Sequence, residues 1–234
     1  MSIILHIETT THQCAVALSK DGILLANRTI REDGYSHAEK LLPFIDEVVL
    51  EARIVKAELG AVSVSGGPGS YTGLRIGIAT AKGICHALGI PLISVDTLTV
   101  LVHQARKKHS GYAAYVPMLD ARRMEVYTRT FNEESGEYTE IKPVVIEDST
   151  GYSWDSYDSI CFYGDGAVKC SEVLKGDGRI FIEDWPTAEA AIEIATLKAK
   201  NNEFEGLALY EPKYLKAFKA GKAKDPFGLR INKL

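Results

Sequence analysis

The segment SGGPGSYTGLRIG, residues 65–77, decides the fold of this chain. A short apolar run at 61–65 leads into it and predicts a buried strand, and helical spacing follows over 71–88. Strand, glycine turn and helix in this order let backbone N–H groups at a helix start bind a phosphate. The turn is not a Walker loop, because it lacks the lysine of that motif. It is not a dinucleotide-binding fingerprint either, because the third glycine of that motif is absent. The structural alternative is a tight turn that lets helix and sheet approach closely.

The elements on either side follow one order twice. In the first half the predicted strands are 2–7, 14–18, 23–30, 61–65 and 92–95, and the predicted helices are 38–52, 71–88 and 97–107. In the second half the predicted strands are 112–119, 123–131, 138–146, 159–163 and 180–182, with helices ending at 174 and spanning 187–200. Local signals set several bounds: a hairpin turn at Asp21-Gly22, a capping box from Ser36, Gly89 after one helix and Asp96 before the next. The sequence therefore predicts an α/β protein of mixed sheets flanked by helices, with units at 1–107 and 108–234.

Composition excludes several classes of protein. The chain has 234 residues, 46% hydrophobic and 25% charged, and a formal net charge of −4. These are globular proportions, and a stand-alone nucleic-acid binder would carry a basic excess. Seven basic residues against two acidic ones stand in 211–234, which indicates either a solvated tail or a contact for RNA or an acidic partner. The four cysteines form no CxxC pair, so we expect buried free thiols and a reducing compartment. The sequence shows no signal peptide and no apolar run of ~18 residues, so we expect a cytoplasmic protein.

Two helices carry more apolar surface than one sheet face needs. Gly73 and Gly77 lie one turn apart, although glycine in a helix costs about 1 kcal/mol relative to alanine. The pattern predicts a helix–helix interface with another chain, or else cover by the second domain or a loop. The candidate interface residues are Leu41, Phe44, Val48, Gly73, Arg75, Ile76, Gly77 and Thr80.

A second candidate site lies at the end of the first strand. Glu8 with the hydroxyls of Thr9 and Thr10 could face a nucleotide phosphate or its Mg²⁺, and a solvated strand end is the alternative. The candidate phosphate-site residues are Glu8, Thr9, Thr10, Gly67, Gly69 and Ser70. No metal-ligand cluster and no Gly-x-Ser-x-Gly motif occurs, so no catalytic residue is assigned.

Several stretches together resemble the TsaB family, also called YeaZ. They are ILHIETT at 4–10, Ser36-His37 with Leu41-Leu42-Pro43, the segment at 65–77, and Asp120-Ala121-Arg122-Arg123 followed by Glu125-Val126-Tyr127. The likeness is specific over residues 3–130 and loose beyond. It implies the two-lobed fold of actin, sugar kinases and the Hsp70 ATPase. It also implies a role in forming threonylcarbamoyladenosine at position 37 of tRNAs that read codons beginning with A.

The resemblance further implies a non-catalytic scaffold for a paralogous enzyme, TsaD, which binds metal through two histidines four residues apart. By the order of residues, Thr97 and Leu101 stand at those positions here, and His103 comes two residues too late. The resemblance implies that the two helices bind TsaD, or a second copy of the chain when TsaD is absent. It also implies that the TsaE ATPase is part of the complex and that the chain contacts tRNA indirectly, through that complex. No cofactor is required, and weak ATP or ADP binding stays open because Glu8 replaces the commoner Asp. An ATP-dependent phosphotransferase is the alternative function, and a glycoprotease-like peptidase is disfavoured.

Overall fold

A computed structural model describes residues 3–32, 37–147 and 151–216 of the chain. Its first half contains β1 (Ile3–Glu8), β2 (Gln13–Lys20), β3 (Ile23–Arg31), α1 (His37–Glu51), β4 (Ala61–Ser65), α2 (Tyr71–Leu88), β5 (Leu92–Val95) and α3 (Thr97–Lys108). Its second half contains β6 (Ala114–Asp120), β7 (Glu125–Thr128), β8 (Phe131–Asn132), β9 (Lys142–Val145), β10 (Ile160–Tyr163), α4 (Ser171–Leu174), β11 (Arg179–Ile182) and α5 (Ile192–Lys200). The predicted capping box at Ser36 and most of the basic tail lie outside the described residues.

The two halves build sheets of the same topology. The first sheet has the order β3-β2-β1-β4-β5, and the second has the order β9-β7-β6-β10-β11, with β8 paired to β6. In each sheet the first three strands are antiparallel, and the last two run parallel to the central strand. The repeated order of elements inferred from the sequence is therefore confirmed as a repeated sheet topology.

Local signals account for the best-predicted bounds. Asp21 and Gly22 both have positive φ, as a two-residue hairpin turn requires. The Ser70 hydroxyl accepts from the Gly73 N–H at the start of α2, and Gly89 ends that helix in the left-handed conformation. The Asp96 side chain accepts from the Thr99 N–H and begins α3. These predicted helices and the hairpin are confirmed.

The second half differs from its prediction in three places. The strand expected over 123–131 is two strands, β7 and β8, because the chain leaves the β6–β7 ladder after Thr128 and pairs again only at Phe131. The strand expected over 138–146 is reduced to β9. The helix expected from 187 begins at Ile192, after a 3-10 turn.

Helices α1 and α2 cover one face of the first sheet, and α5 covers the other. Helix α3 packs Val100 against the first sheet and Leu98, Leu101 and Ala105 against the second. Contacts of α3 and α5 therefore cross the proposed boundary between residues 107 and 108, which stays a prediction. The four cysteines are free and buried, as expected. Among the described helices, none has the length and apolar character that a membrane span requires.

Candidate functional site

The carboxyl group of Glu8 is enclosed at the end of β1. It is fully buried and accepts from the Thr10 N–H at 2.6 Å, from the Thr10 hydroxyl at 2.5 Å and from the Ser65 hydroxyl. Burial raises its pKa to about 7, although these hydrogen bonds oppose the rise. Because its oxygens are bound by the chain's own donors, Glu8 does not face the cleft, contrary to the prediction that it could face a phosphate.

The segment after β1 lies directly against α2. The Thr9 hydroxyl donates to the Gly73 carbonyl at 2.8 Å, and the Ser70 N–H donates to the Thr10 carbonyl at 2.6 Å. A Cβ atom at Gly73 would overlap the Thr9 carbonyl oxygen, and one at Gly77 would overlap the Thr9 hydroxyl. The prediction that these glycines admit a partner's helix is therefore wrong: they admit the chain's own strand end.

The C-terminal segment 205–216, here called the strap, crosses the glycine turn. Glu205 bridges to Leu92 on β5, and the Tyr210 hydroxyl lies 2.5 Å from the Ser94 Oγ. The Lys213 N–H then donates to the Gly66 carbonyl at 2.9 Å. Gly67 has φ +111° beside the strap, so this turn needs glycine both for its conformation and for close approach. Sequence reasoning missed these contacts, for which no local signal exists.

The glycine turn borders a cleft of about 460 Å³. Thr10, Gly69 and Ser70 line it, as predicted for a phosphate site, whereas Glu8, Thr9 and Gly67 do not. The opposite wall contains Asp120, Arg122, Tyr127 and Asp165 from the second half of the chain. Burial raises the pKa of Asp165 to about 6, and the nearby Asp120 carboxylate adds to the rise. Nucleotide binding in this cleft stays a prediction.

Most of the predicted interface residues face inward or sideways. Leu41 and Val48 are buried against the first sheet, so they cannot bind a partner. Phe44 shares a face of α1 with Glu47 and Glu51, and both glutamates pair with Arg28 on β3, away from α2. The structure therefore excludes Leu41 and Val48 from the predicted surface and places Phe44 at its far edge.

Helix α2 has two different flanks. On one flank, Arg75 donates to the Tyr214 hydroxyl at 3.1 Å and Lys82 donates to two carbonyls of the strap. The other flank contains Ile76 and Thr80, both half-buried, and it faces α1, since the strap follows β5 at the opposite edge of the sheet. Arg75 therefore lies on the strap side rather than between the helices.

An open surface remains on the outside of the two helices. On α1, Leu42 is 57% exposed and Leu50 is 79% exposed. On α2, Ala79 and Gly83 are exposed, and a Cβ at Gly83 would meet nothing within 4 Å. We call Leu42, Leu50, Ile76, Ala79 and Gly83 the outer helix face. The spacing of Ile76, Ala79 and Gly83 by three and four residues could have indicated it.

The positions that correspond to metal ligands in the resemblance lie at the start of α3. Thr97 and Leu101 are both fully buried, and Leu101 packs against the second sheet. His103 is turned towards α5, where its Nε2 lies 3.1 Å from a Glu193 carboxylate oxygen. In the part of the chain that the structure describes, no three His, Cys, Asp or Glu side chains are grouped as metal ligands.

Comparison with known proteins agrees with this architecture. The family model described as TsaD, tRNA N6-adenosine threonylcarbamoyltransferase, matches residues 31–183. The tRNA threonylcarbamoyladenosine biosynthesis protein TsaB of Escherichia coli is 28% identical over 232 residues, covering 91% of this chain and 94% of that protein. TsaB of Bacillus subtilis is 30% identical and covers 60% of this chain and 59% of that protein. A Pseudomonas aeruginosa crystal structure, titled an uncharacterized protein with similarity to peptidase YEAZ, has a TM-score of 0.80 and 25% identity over 92% of this chain and 100% of that one.

Two sheets of the same topology, with a glycine turn beside the cleft, define a two-lobed protein of the actin-like ATPase fold. Within that class, the family-model match and the TsaB relatives narrow the assignment. The chain belongs to the TsaB (YeaZ) family of tRNA threonylcarbamoyladenosine biosynthesis proteins.

Proposed function

We propose that this chain is a non-catalytic subunit that binds TsaD through the outer helix face and activates it for threonylcarbamoylation of adenosine 37 in tRNA. The observation that carries the proposal is the open surface of α1 and α2. Leu42 and Leu50 expose apolar area, and the small residues Ala79 and Gly83 leave room for a helix to pack closely. The surface thus differs from the one predicted, although the same two helices provide it.

The non-catalytic part of the proposal is supported by what occupies the positions where chemistry would lie. Thr97 is a poor metal ligand and Leu101 cannot bind a metal at all. Both side chains are fully buried. The Glu8 carboxyl accepts from Thr10 and Ser65 and does not line the cleft, so it is not positioned to hold Mg²⁺ there. TsaE and weakly bound ATP or ADP remain part of the proposal as further components of the assembly.

The interface is tested by co-elution with TsaD of the same organism on a sizing column, using Gly83→Arg. Because Gly83 faces open space, the variant should fold, and arginine in the helix is favoured over glycine by about 0.8 kcal/mol. We expect loss of the complex at micromolar concentration and loss of stimulated threonylcarbamoylation. Gly206→Arg is the matched control, since Gly206 is also open but lies in the strap.

Normal co-elution of Gly83→Arg would refute this interface. The alternative function, an ATP-dependent phosphotransferase, predicts Mg-ATP hydrolysis by the isolated chain. That activity, measured together with the absence of any TsaD complex, would replace the scaffold proposal.

A further inference from the structure

The turn between β6 and β7 holds two consecutive arginines in a conformation that glycine and asparagine usually adopt. Arg122 has φ +71° and Arg123 has φ +52°. Side chains at such positions crowd their own backbone, and glycine and asparagine adopt positive φ more readily than arginine. Residues kept in unfavourable backbone conformations cluster at functional sites. The arginine side chains therefore need an explanation beyond the turn itself.

The surrounding structure fixes this turn firmly. The Asp120 carboxylate accepts from the Arg122 N–H at 2.7 Å, and the Ala121 N–H donates to the Glu125 carbonyl at 3.0 Å. Lys169 Nζ donates to the Asp120 carboxylate at 2.6 Å and to the Arg123 and Glu125 carbonyls at 2.7 Å each. These contacts hold the backbone of the turn in place from Asp120 to Glu125.

The two guanidinium groups are exposed and uncompensated. Neither makes a hydrogen bond or ion pair with any residue in the described ranges. Three carboxylates lie nearby, and two of them are paired with lysines, whereas Asp165 accepts from the Asp120 N–H and lines the same cleft as Arg122. Asp120 pairs with Lys169, and Glu125 pairs with Lys216 of the strap. The turn therefore carries a local positive charge in a chain whose formal net charge is −4.

Further basic and aromatic groups lie beside this turn. The Tyr71 and Tyr214 rings are in contact, with centroids 5.0 Å apart, and the Arg75 guanidinium lies 4.1 Å from the Tyr71 ring centroid. Tyr71 and Arg122 line the same cleft, and Arg75 and Tyr214 contact each other beside Tyr71. We call these four residues, with their exposed neighbours in sequence Arg123 and Lys213, the basic rim. The described chain ends at Lys216 beside it, and the sequence continues with five more Lys or Arg and one Asp.

We infer that the basic rim is a contact surface for the sugar–phosphate backbone of RNA. Guanidinium groups match phosphate geometry, and the Tyr214 ring, 41% exposed beside these cations, suits stacking by an unpaired base. The family's role in tRNA modification places such an RNA in reach. The inference rests on the proposed role in tRNA modification. Arg75 lies one helical turn from Ala79 of the outer helix face, whereas Arg122 and Arg123 lie on the turn between β6 and β7, so they are the residues to change in a test of RNA binding.

The test is the variant Arg122→Asn/Arg123→Gly, which puts residues that adopt positive φ readily at both positions and removes both charges. Binding of an unmodified tRNA transcript that reads an A-starting codon is measured for the chain alone and for its complex with TsaD, over a range of salt concentrations. Loss of two phosphate contacts should lower affinity roughly 10- to 30-fold at 0.15 M salt and reduce the slope of log K against log salt by about 1.4–1.8. The thermal midpoint should be unchanged or higher, because the backbone strain is relieved.

The control is Lys20→Gln/Arg53→Gly, which also removes two exposed charges and one left-handed arginine, but away from the rim. The control should bind tRNA as the native chain does. Unchanged affinity in the turn variant, an unchanged salt slope, or an equal loss in the control would each overturn the inference. Co-elution with TsaD is recorded in the same samples, so failure of the scaffold proposal is seen separately from failure of RNA binding.

Discussion

Replacing Glu8 by glutamine should remove one contribution to the pH dependence of this protein's stability, the one that acts between pH 4.5 and 8. Burial raises the pKa of Glu8 from 4.5 to about 7. Since the folded state then holds this proton more tightly than the unfolded state, the free energy of unfolding falls as pH rises from 4.5 through 7. Each unit of pKa difference corresponds to about 1.4 kcal/mol, so ionisation of Glu8 costs about 3 kcal/mol by pH 8.

Glutamine has the size of the protonated carboxyl and does not ionise. Its oxygen can accept from the Thr10 N–H and hydroxyl, and its amide can donate to Ser65 once that hydroxyl turns. Between pH 4.5 and 8 the free energy of unfolding of the native chain should therefore fall by about 3 kcal/mol more than that of Glu8→Gln. In a chain of this length that difference is about 6–12 °C in the thermal midpoint.

Urea unfolding of both proteins at several pH values measures the effect directly. Exposed Glu39→Gln on α1 is the control and should follow the native curve. Parallel stability curves for the native chain and Glu8→Gln would refute the reasoning, because they would show that the Glu8 carboxylate ionises in the folded state at little cost.

Two further predictions concern the packing. Gly73→Ala should lower the free energy of unfolding by about 1–3 kcal/mol, because its Cβ would overlap the Thr9 carbonyl. Gly83→Ala should raise the free energy of unfolding by about 1 kcal/mol, because its Cβ meets nothing within 4 Å. Equal effects of the two substitutions in urea unfolding would contradict the assigned faces of α2. The four buried cysteines, with pKa raised to about 12 for Cys14 and about 11 for Cys85, should react slowly with a disulfide reagent at pH 8 and fully in denaturant. Rapid reaction of the native chain would show that these thiols are accessible.

The elements of the first half could be predicted closely from the sequence, because the signals that begin and end them are local. Ser70, Gly89 and Asp96 act within three or four residues of themselves, and the Asp21-Gly22 turn needs only its own two residues. In the second half, strands β7 and β8 were merged in the prediction. Where a strand leaves one ladder and joins another depends on its neighbours, which lie far along the chain.

The candidate site was only partly predictable for the same physical reason. The sequence indicated that Glu8, the glycine turn and the two helices matter, and it predicted that Gly73 and Gly77 permit a close approach. Only the tertiary structure decided that this approach is to Thr9 and that Glu8 accepts a hydrogen bond from Ser65. It also decided that the strap binds the glycine turn, through a hydrogen bond between Lys213 and Gly66, which are 147 positions apart in the chain. Local hydrogen bonds and hydrophobic period determine which segments become helices and strands. Which surface of each segment stays open is determined by packing between distant segments, and no local pattern records it.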